Sequence, residues 1–140
     1  MFEQIDHVGI AVPDLDAAVE RYREMFGVEP VHRERVEAQG VEEVLFRVGV
    51  SYIQLLGSLG AHTPVGRFLS SRGGGLHHVA YRVDDLTSAL ATLKERGARL
   101  VDETPRPGSR GTTIAFVHPA SAEGVLVELV QVGVRDEVAG

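Results

Sequence analysis

The chain has 140 residues, of which 44% are hydrophobic and 24% are charged, a composition that suits one globular domain with a sizeable core. Its formal net charge of −6, with scattered basic residues, argues against nucleic acid as the main partner, and the absence of cysteine excludes a disulfide framework and a thiolate metal site. Neither a secretory signal nor an apolar run of about 20 residues is visible, so we expect a cytoplasmic protein without a membrane segment.

The first half of the sequence predicts a strand, a helix and then three strands. The opening strand, over residues 6–12, leads to a helix whose apolar residues recur from Leu15 to Phe26. Asp14 suits the N-cap of this helix and Gly27 its C′ position. The three strands that follow are expected near residues 31–36, 41–48 and 51–56. We place this module at about residues 4–57.

A linker is expected over residues 58–75, with a short helix at 64–71 that starts on a proline and a glycine turn after it. The second module, at residues 76–131, repeats the first. His78 aligns with His7 and Glu128 with Gln54, and Asp85 and Gly97 suit the two caps of the second helix. Its later strands are expected near residues 99–101, 112–117 and 124–130, and a polar tail occupies residues 132–140.

The duplication predicts an α+β fold: tandem βαβββ modules that form a curved, cleft-shaped mixed β-sheet with flanking helices, counted as a single domain. Side chains alternate between the two faces of a strand, so each repeated histidine lies on the face opposite the helix-packing residues. The residues two places later, Gly9 and Ala80, are small and leave room beside the imidazoles.

Polar residues interrupt the first and last strand of each module, namely His7, Gln54, His78 and Glu128. A carboxylate among valines and leucines is costly unless it is paired or bound to a cation. If the two modules close by pseudo-twofold symmetry, two imidazoles, one amide and one carboxylate converge on a site that suits Co²⁺, Mn²⁺, Ni²⁺, Fe²⁺ or Zn²⁺.

Two ordinary interpretations compete with this site. A single histidine is usually a hydrogen-bonded core residue, and a duplicated fold need not carry an active site. The recurrence of all four polar residues at matched positions favours the metal site. His77 is adjacent to His78 on the strand, so its side chain points to the opposite face. The remaining histidines have no repeat partner and are interpreted as surface or loop residues; they are His32, His62 and His118.

Paired βαβββ modules with this pattern of His, Gln, His and Glu resemble the vicinal oxygen chelate superfamily, which includes glyoxalase I, extradiol dioxygenases and methylmalonyl-CoA epimerases. The resemblance is strongest to the epimerase family and runs from about Ile5 to Gln131. The stretches that carry it include His7-Val8-Gly9-Ile10-Ala11-Val12, Ile53-Gln54-Leu55-Leu56, Gly75-Leu76-His77-His78-Val79-Ala80 and Gly124-Val125-Leu126-Val127-Glu128-Leu129.

This resemblance implies an isomerase that interconverts (R)- and (S)-methylmalonyl-CoA by 1,1-proton transfer through a metal-stabilised enolate, with a place in propionate metabolism. It implies that His7, Gln54, His78 and Glu128 hold one divalent ion per chain, with Co²⁺ favoured and Mn²⁺, Ni²⁺ or Zn²⁺ as alternatives. It also implies a general base at Glu43, a chemical role for Glu128, an acyl-CoA substrate and a homodimer.

Strand parity groups Glu43 with Leu45 and Arg47, so we expect Glu43 to face the same cleft as Gln54; a solvated strand residue is the alternative. Arg106, Ser109 and Arg110, in the loop at residues 105–111, are candidates for contact with the CoA arm, or else belong to a solvated loop.

Other functions also fit the predicted fold. A glyoxalase-type isomerase or lyase of a thiol hemithioacetal needs a nearly identical metal set, and a metal-free small-molecule-binding protein needs none. A dioxygenase is disfavoured because its three-ligand triad leaves Gln54 surplus.

Overall fold

The computed structural model describes residues 1–133, so most of the predicted polar tail, residues 134–140, lies outside the described residues. The chain divides into two compact units. The first unit comprises His7–His77, and the second comprises Met1–Asp6 together with His78–Gly140. In the described part of the chain, no helix has the length and apolar character needed to cross a membrane.

The first unit has the predicted order of strand, helix and three strands. Strand β1 spans Gln4–Ala11, of which the residues from His7 belong to this unit. The elements after it are α1 (Leu15–Phe26), β2 (Pro30–Val36), β3 (Val41–Val48), β4 (Ser51–Ser58) and α2 (Pro64–Arg72). The strands are ordered β2-β3-β4-β1; β4 runs parallel to β1, and the other pairs are antiparallel.

The predicted caps of α1 are confirmed. The side chain of Asp14 accepts a hydrogen bond from the backbone N–H of Ala17 at 3.1 Å. Gly27 ends the helix in the left-handed region at φ 64°, where a residue with a Cβ is strained. The linker helix begins as predicted at Pro64, capped by Thr63.

Helix α1 packs on one face of the strands of the first unit. Its buried residues Leu15 and Val19 form a core cluster with Val44, Phe46 and Leu55, and Ile10, Val12 and Ile53 pack against it. The other face is covered in part by α2, through Val65, Phe68 and Leu69. The alternation predicted from the sequence is therefore confirmed in this unit.

The second unit repeats the order. Strand β5 spans Gly75–Arg82, of which the residues from His78 belong to this unit. The elements after it are α3 (Leu86–Glu95), β6 (Arg106–Pro107), β7 (Thr113–Val117) and β8 (Val127–Gln131). The strand order is β5-β8-β7-β6, and β8 runs parallel to β5. The prediction of tandem βαβββ modules in an α+β fold is confirmed. Asp85 caps α3 as predicted, and accepts from Ser88 N at 3.0 Å.

The strand predicted at residues 99–101 forms only in part, because the backbone pairing there is limited to one antiparallel bridge. Only Leu100 forms a bridge, to Val117, and the two-residue strand β6 lies further on. The carboxylate of Asp102 explains the interruption, since its Oδ2 accepts the backbone N–H of Phe116 at 2.9 Å. A side chain thus takes a donor that a continuing strand would use, and the backbone pairing stops there.

Candidate metal centre and acid–base site

In the first unit, His7 and Gln54 lie on one face of two neighbouring parallel strands. The register pairs His7 with Tyr52 and Gly9 with Gln54, so the two polar side chains are diagonal neighbours. Both are buried, His7 with 4% and Gln54 with 6% of its surface exposed. Gly9, which has no side chain, pairs directly with Gln54 and lies on the same face as His7.

Glu43 lies on the same face as Gln54, on strand β3. Leu45 pairs with Gln54 and Glu43 with Leu56 in the antiparallel register. Gln54 Nε2 donates a hydrogen bond to Glu43 Oε1 at 3.0 Å, and Glu43 is only 2% exposed. The expectation that Glu43 faces the same side as Gln54 is confirmed, and the alternative of a solvated strand residue is wrong.

The contact with Glu43 fixes the orientation of the Gln54 amide, because a carboxylate accepts only from the amide nitrogen. The amide oxygen, Gln54 Oε1, is therefore directed elsewhere. It is buried and accepts no hydrogen bond from residues 1–133. A buried oxygen left in this state costs about 1–3 kcal/mol unless something else binds it.

In the second unit, His78 and Glu128 are in direct contact. His78 Nε2 lies 3.0 Å from Glu128 Oε1, and the two side chains are 4% and 6% exposed. The register pairs Ala80 with Glu128, which places His78 diagonally beside the carboxylate on the same face. The ring of Phe116 meets the imidazole of His78 edge to face, at 5.7 Å between centroids.

The register is the same in the two units. Gln54 pairs with the residue two places after His7, and Glu128 pairs with the residue two places after His78. The duplication seen in the sequence therefore extends to the arrangement of the strands. Each parallel strand pair carries one imidazole and one side-chain oxygen on the same face.

Each strand pair, taken by itself, carries atoms that suit ligation of a divalent cation. The 3.0 Å between His78 Nε2 and Glu128 Oε1 is the length of a hydrogen bond, and it also equals the spacing of two ligands bound at about 2.1 Å along perpendicular directions, so the pair fits either role. Gln54 Oε1 supplies a buried oxygen that accepts no hydrogen bond from the described residues, which is the state expected of a ligand atom. Imidazole nitrogen with carboxylate and amide oxygen suits first-row transition metals.

Asp6 organises a charged cluster that the sequence reasoning missed. Its carboxylate is 0% exposed; Arg82 donates to Oδ1 at 3.0 Å and Arg110 to Oδ2 at 2.7 Å. Arg110 has φ 56°, a left-handed conformation that is unusual for a residue with a side chain. These partners are 76 and 104 residues from Asp6 in sequence, so strand periodicity gave no signal for them.

The loop candidates for CoA contact are therefore not simply solvated. The side chain of Arg110 is 7% exposed and bound to Asp6, and Arg106 donates to Asp102 at 3.3 Å and lies over the ring of Phe116. Ser109 begins the short turn that carries Arg110, and its carbonyl accepts from Thr112.

The other histidines take varied positions. His77 lies on β5 with the parity opposite to His78 and packs against Phe68. His118 caps the turn at Pro119–Ser121. His32, interpreted as a surface or loop residue, is a half-buried member of strand β2 that is hydrogen-bonded to Glu34.

A family model described as the Glyoxalase/Bleomycin resistance protein/Dioxygenase superfamily matches residues 6–116 of the chain. The chain belongs to this superfamily. It is 39% identical over 134 residues to the ethylmalonyl-CoA/methylmalonyl-CoA epimerase of Cereibacter sphaeroides. The matched region covers 94% of this chain and 100% of the relative. It is 35% identical over 129 residues to the mitochondrial methylmalonyl-CoA epimerase of Homo sapiens, which covers 91% of this chain and 73% of that one.

Solved structures give the same result. A methylmalonyl-CoA epimerase in complex with methylmalonyl-CoA and NH4⁺ matches with a TM-score of 0.93 and 40% identity, over 96% of this chain and 98% of that one. The methylmalonyl-CoA epimerase of Mycobacterium tuberculosis matches with a TM-score of 0.91 and 40% identity, over 99% and 93%. The resemblance drawn from the sequence motifs is confirmed, and the protein is an enzyme of the isomerase class, an epimerase.

Proposed function

We propose that this enzyme interconverts (R)- and (S)-methylmalonyl-CoA by removing the α-hydrogen from one face of the substrate and returning a proton to the other. The observation that carries the proposal is the buried carboxylate of Glu43, held by Gln54 at 3.0 Å on the face of the sheet that also carries His7. The similarity to epimerases over nearly the whole chain supports the choice of substrate.

We further propose that His7, Gln54, His78 and Glu128 hold one divalent cation, with Co²⁺ as the favoured ion. The equal register of the two strand pairs and the fit of their donor atoms support this set. When bound, such a cation stabilises negative charge that develops on the thioester and carboxylate oxygens of a malonyl-type substrate.

In this proposal two carboxylates, Glu43 and Glu128, carry the two halves of the proton transfer. Glu43 takes the α-proton on a carboxylate oxygen, since it is buried, ionisable and oriented by Gln54. A second group must supply a proton to the opposite face of the planar carbanion, and Glu128 is our candidate. Burial of both carboxylates excludes water that would otherwise quench the carbanion.

The test compares Glu43→Gln with Glu42→Gln, which makes the same change on the neighbouring residue, on the opposite face of β3. Enzyme is incubated with methylmalonyl-CoA in D₂O, and α-deuterium and the two epimers are followed. We expect Glu43→Gln to lower turnover by about 10²–10⁴-fold, the usual contribution of general acid–base catalysis, with metal content unchanged. The carboxylate of Glu42 binds Arg33 at 2.8 Å on the other face, so the turnover of Glu42→Gln should stay close to that of wild type.

Turnover of Glu43→Gln at the wild-type rate, with intact metal content, would remove Glu43 from the mechanism. A wild-type protein without stoichiometric metal and without α-exchange would instead favour a metal-free binding protein. The identity of the ion, the homodimer and the cytoplasmic location stay predictions, to be checked by metal analysis, sedimentation and fractionation.

A further inference from the structure

Each turnover changes the protonation of Glu43, and this change must be reversed before the next turnover in the same direction. When one group removes the α-proton and another supplies the proton of the product, each turnover leaves the first group with one proton more and the second with one proton fewer. The enzyme must then exchange protons with water before it repeats the same reaction. Glu43 is 2% exposed, so its carboxyl needs a route to solvent.

The neighbouring strand β2 provides ionisable groups in the right register. Glu34 pairs directly with Glu43, and His32 pairs with Leu45, so both side chains lie on the face that carries Glu43 and Gln54. Residues directly opposite each other in an antiparallel pair have Cβ atoms about 4.5–5.5 Å apart. Two glutamate side chains that start at this separation can bring their carboxyl groups into hydrogen-bond contact directly or through one water.

Glu34 and His32 also form a connected pair that reaches solvent. His32 Nε2 lies 2.8 Å from Glu34 Oε1, and the two side chains are 32% and 34% exposed. Strand β2 is the end strand in the order β2-β3-β4-β1, so exposure rises from Gln54 and Glu43 towards this pair. A buried carboxyl, a half-exposed carboxylate and a half-exposed imidazole therefore lie side by side in that order.

We propose that Glu34 and His32 form a proton relay that exchanges the proton of Glu43 with water. The inference rests on the proposed role of Glu43. Glu34 accepts the proton of the Glu43 carboxylic acid, which returns Glu43 to the carboxylate. Glu34 then donates its proton from Oε1 to Nε2 of the neutral His32 tautomer that carries its hydrogen on Nδ1, and the resulting imidazolium releases the Nδ1 proton to water. Water then takes the Nε2 proton and returns one to Nδ1 of the partly exposed ring, which restores the starting tautomer. Each step moves one proton and breaks one O–H or N–H bond for each bond formed.

The test separates the chemical step from the reset of the enzyme. The variants are Glu34→Gln and His32→Ala, with Glu42→Gln as the control of equal charge change on the other face of β3. Single turnovers are measured with enzyme in excess over (R)-methylmalonyl-CoA, and steady-state turnovers with substrate in excess. We expect single turnovers to stay within about twofold of wild type, while steady-state turnover falls at least about tenfold because relayed proton transfer is lost.

Imidazole added to His32→Ala supplies the missing base, and we expect it to restore steady-state turnover in proportion to its concentration. A structural disturbance of Glu43 would lower single and steady-state turnovers together and would not respond to imidazole; either of these results refutes the relay. Unchanged steady-state turnover in both variants refutes it as well. A wild-type protein that fails to epimerise the substrate refutes the proposed function, which is a distinguishable outcome.

Discussion

Replacing Asp6 by asparagine should be among the most destabilising single changes that preserve the shape of the side chain. The carboxylate is fully buried and binds the guanidinium groups of Arg110 at 2.7 Å and Arg82 at 3.0 Å. The side chain of Arg110 is itself only 7% exposed. Removing one partner of a buried ion pair leaves an uncompensated charge, at a cost of about 3–5 kcal/mol. The left-handed backbone of Arg110, which costs about 1 kcal/mol or more, also loses its anchor.

For a chain of this size, 1 kcal/mol corresponds to a change in Tm of about 3 °C, so Asp6→Asn should melt roughly 10–15 °C below wild type. Calorimetry and urea unfolding in the presence of a chelator measure this effect without any contribution from the metal binding that we propose for the adjacent His7. The double variant Asp6→Asn/Arg110→Gln should recover part of the loss, because the more deeply buried of the two guanidinium charges is gone, while Arg82 still lacks the Asp6 carboxylate.

A surface ion pair supplies the control. Lys94 and Glu103 approach to 3.7 Å with both side chains 70% exposed, and Glu103→Gln should cost less than about 0.5 kcal/mol. If Asp6→Asn costs less than 1 kcal/mol, or if the double variant is no more stable than the single one, the inference of a buried cluster held by one carboxylate is refuted.

Three further predictions test the metal site and the packing. His78→Ala should lose stoichiometric metal after dialysis, as measured by elemental analysis, whereas His77→Ala, on the opposite strand parity, should keep it. Leu129→Ala, at a fully buried position, should lower the free energy of unfolding in urea by about 2–5 kcal/mol with an unchanged m-value. Asp85→Ala should cost about 1 kcal/mol through the lost cap of α3, while Asp84→Ala, which caps nothing in the described helices, should be nearly neutral in the same titration.

Periodicity and repetition were sufficient to predict the modules, because the signals for them are local. Caps, the alternation of faces and the match of His7 with His78 each depend on a few neighbouring residues, and the structure places them as expected. The face on which Glu43 lies was also predictable, since the alternation along β3 places it with Leu45 and Gln54, but the alternation left its burial open.

The failures arose where a distant side chain decides the outcome. Residues 99–101 have the composition of a strand, but the Asp102 carboxylate occupies the backbone donor of Phe116 and ends the pairing. The ligation of Asp6 by two arginines depends on tertiary contacts that no sequence period reports. His32 and Glu34 share a face because they are two residues apart on a strand, but neither has a counterpart in the second module, so the repeat does not mark them.

The two modules have diverged in a way that electrostatics explains. The registers make Ile114, opposite Val130, the counterpart of Glu43, opposite Leu56. A glutamate at position 54, matching Glu128, would set two carboxylates against each other at the 3.0 Å separation that the structure shows for Gln54 and Glu43, and one of them would have to hold a proton. The amide avoids this conflict because it donates to Glu43 and leaves its oxygen available for the proposed cation. Where the second module carries Ile114, no such conflict exists at that position, and a carboxylate beside His78 is tolerated.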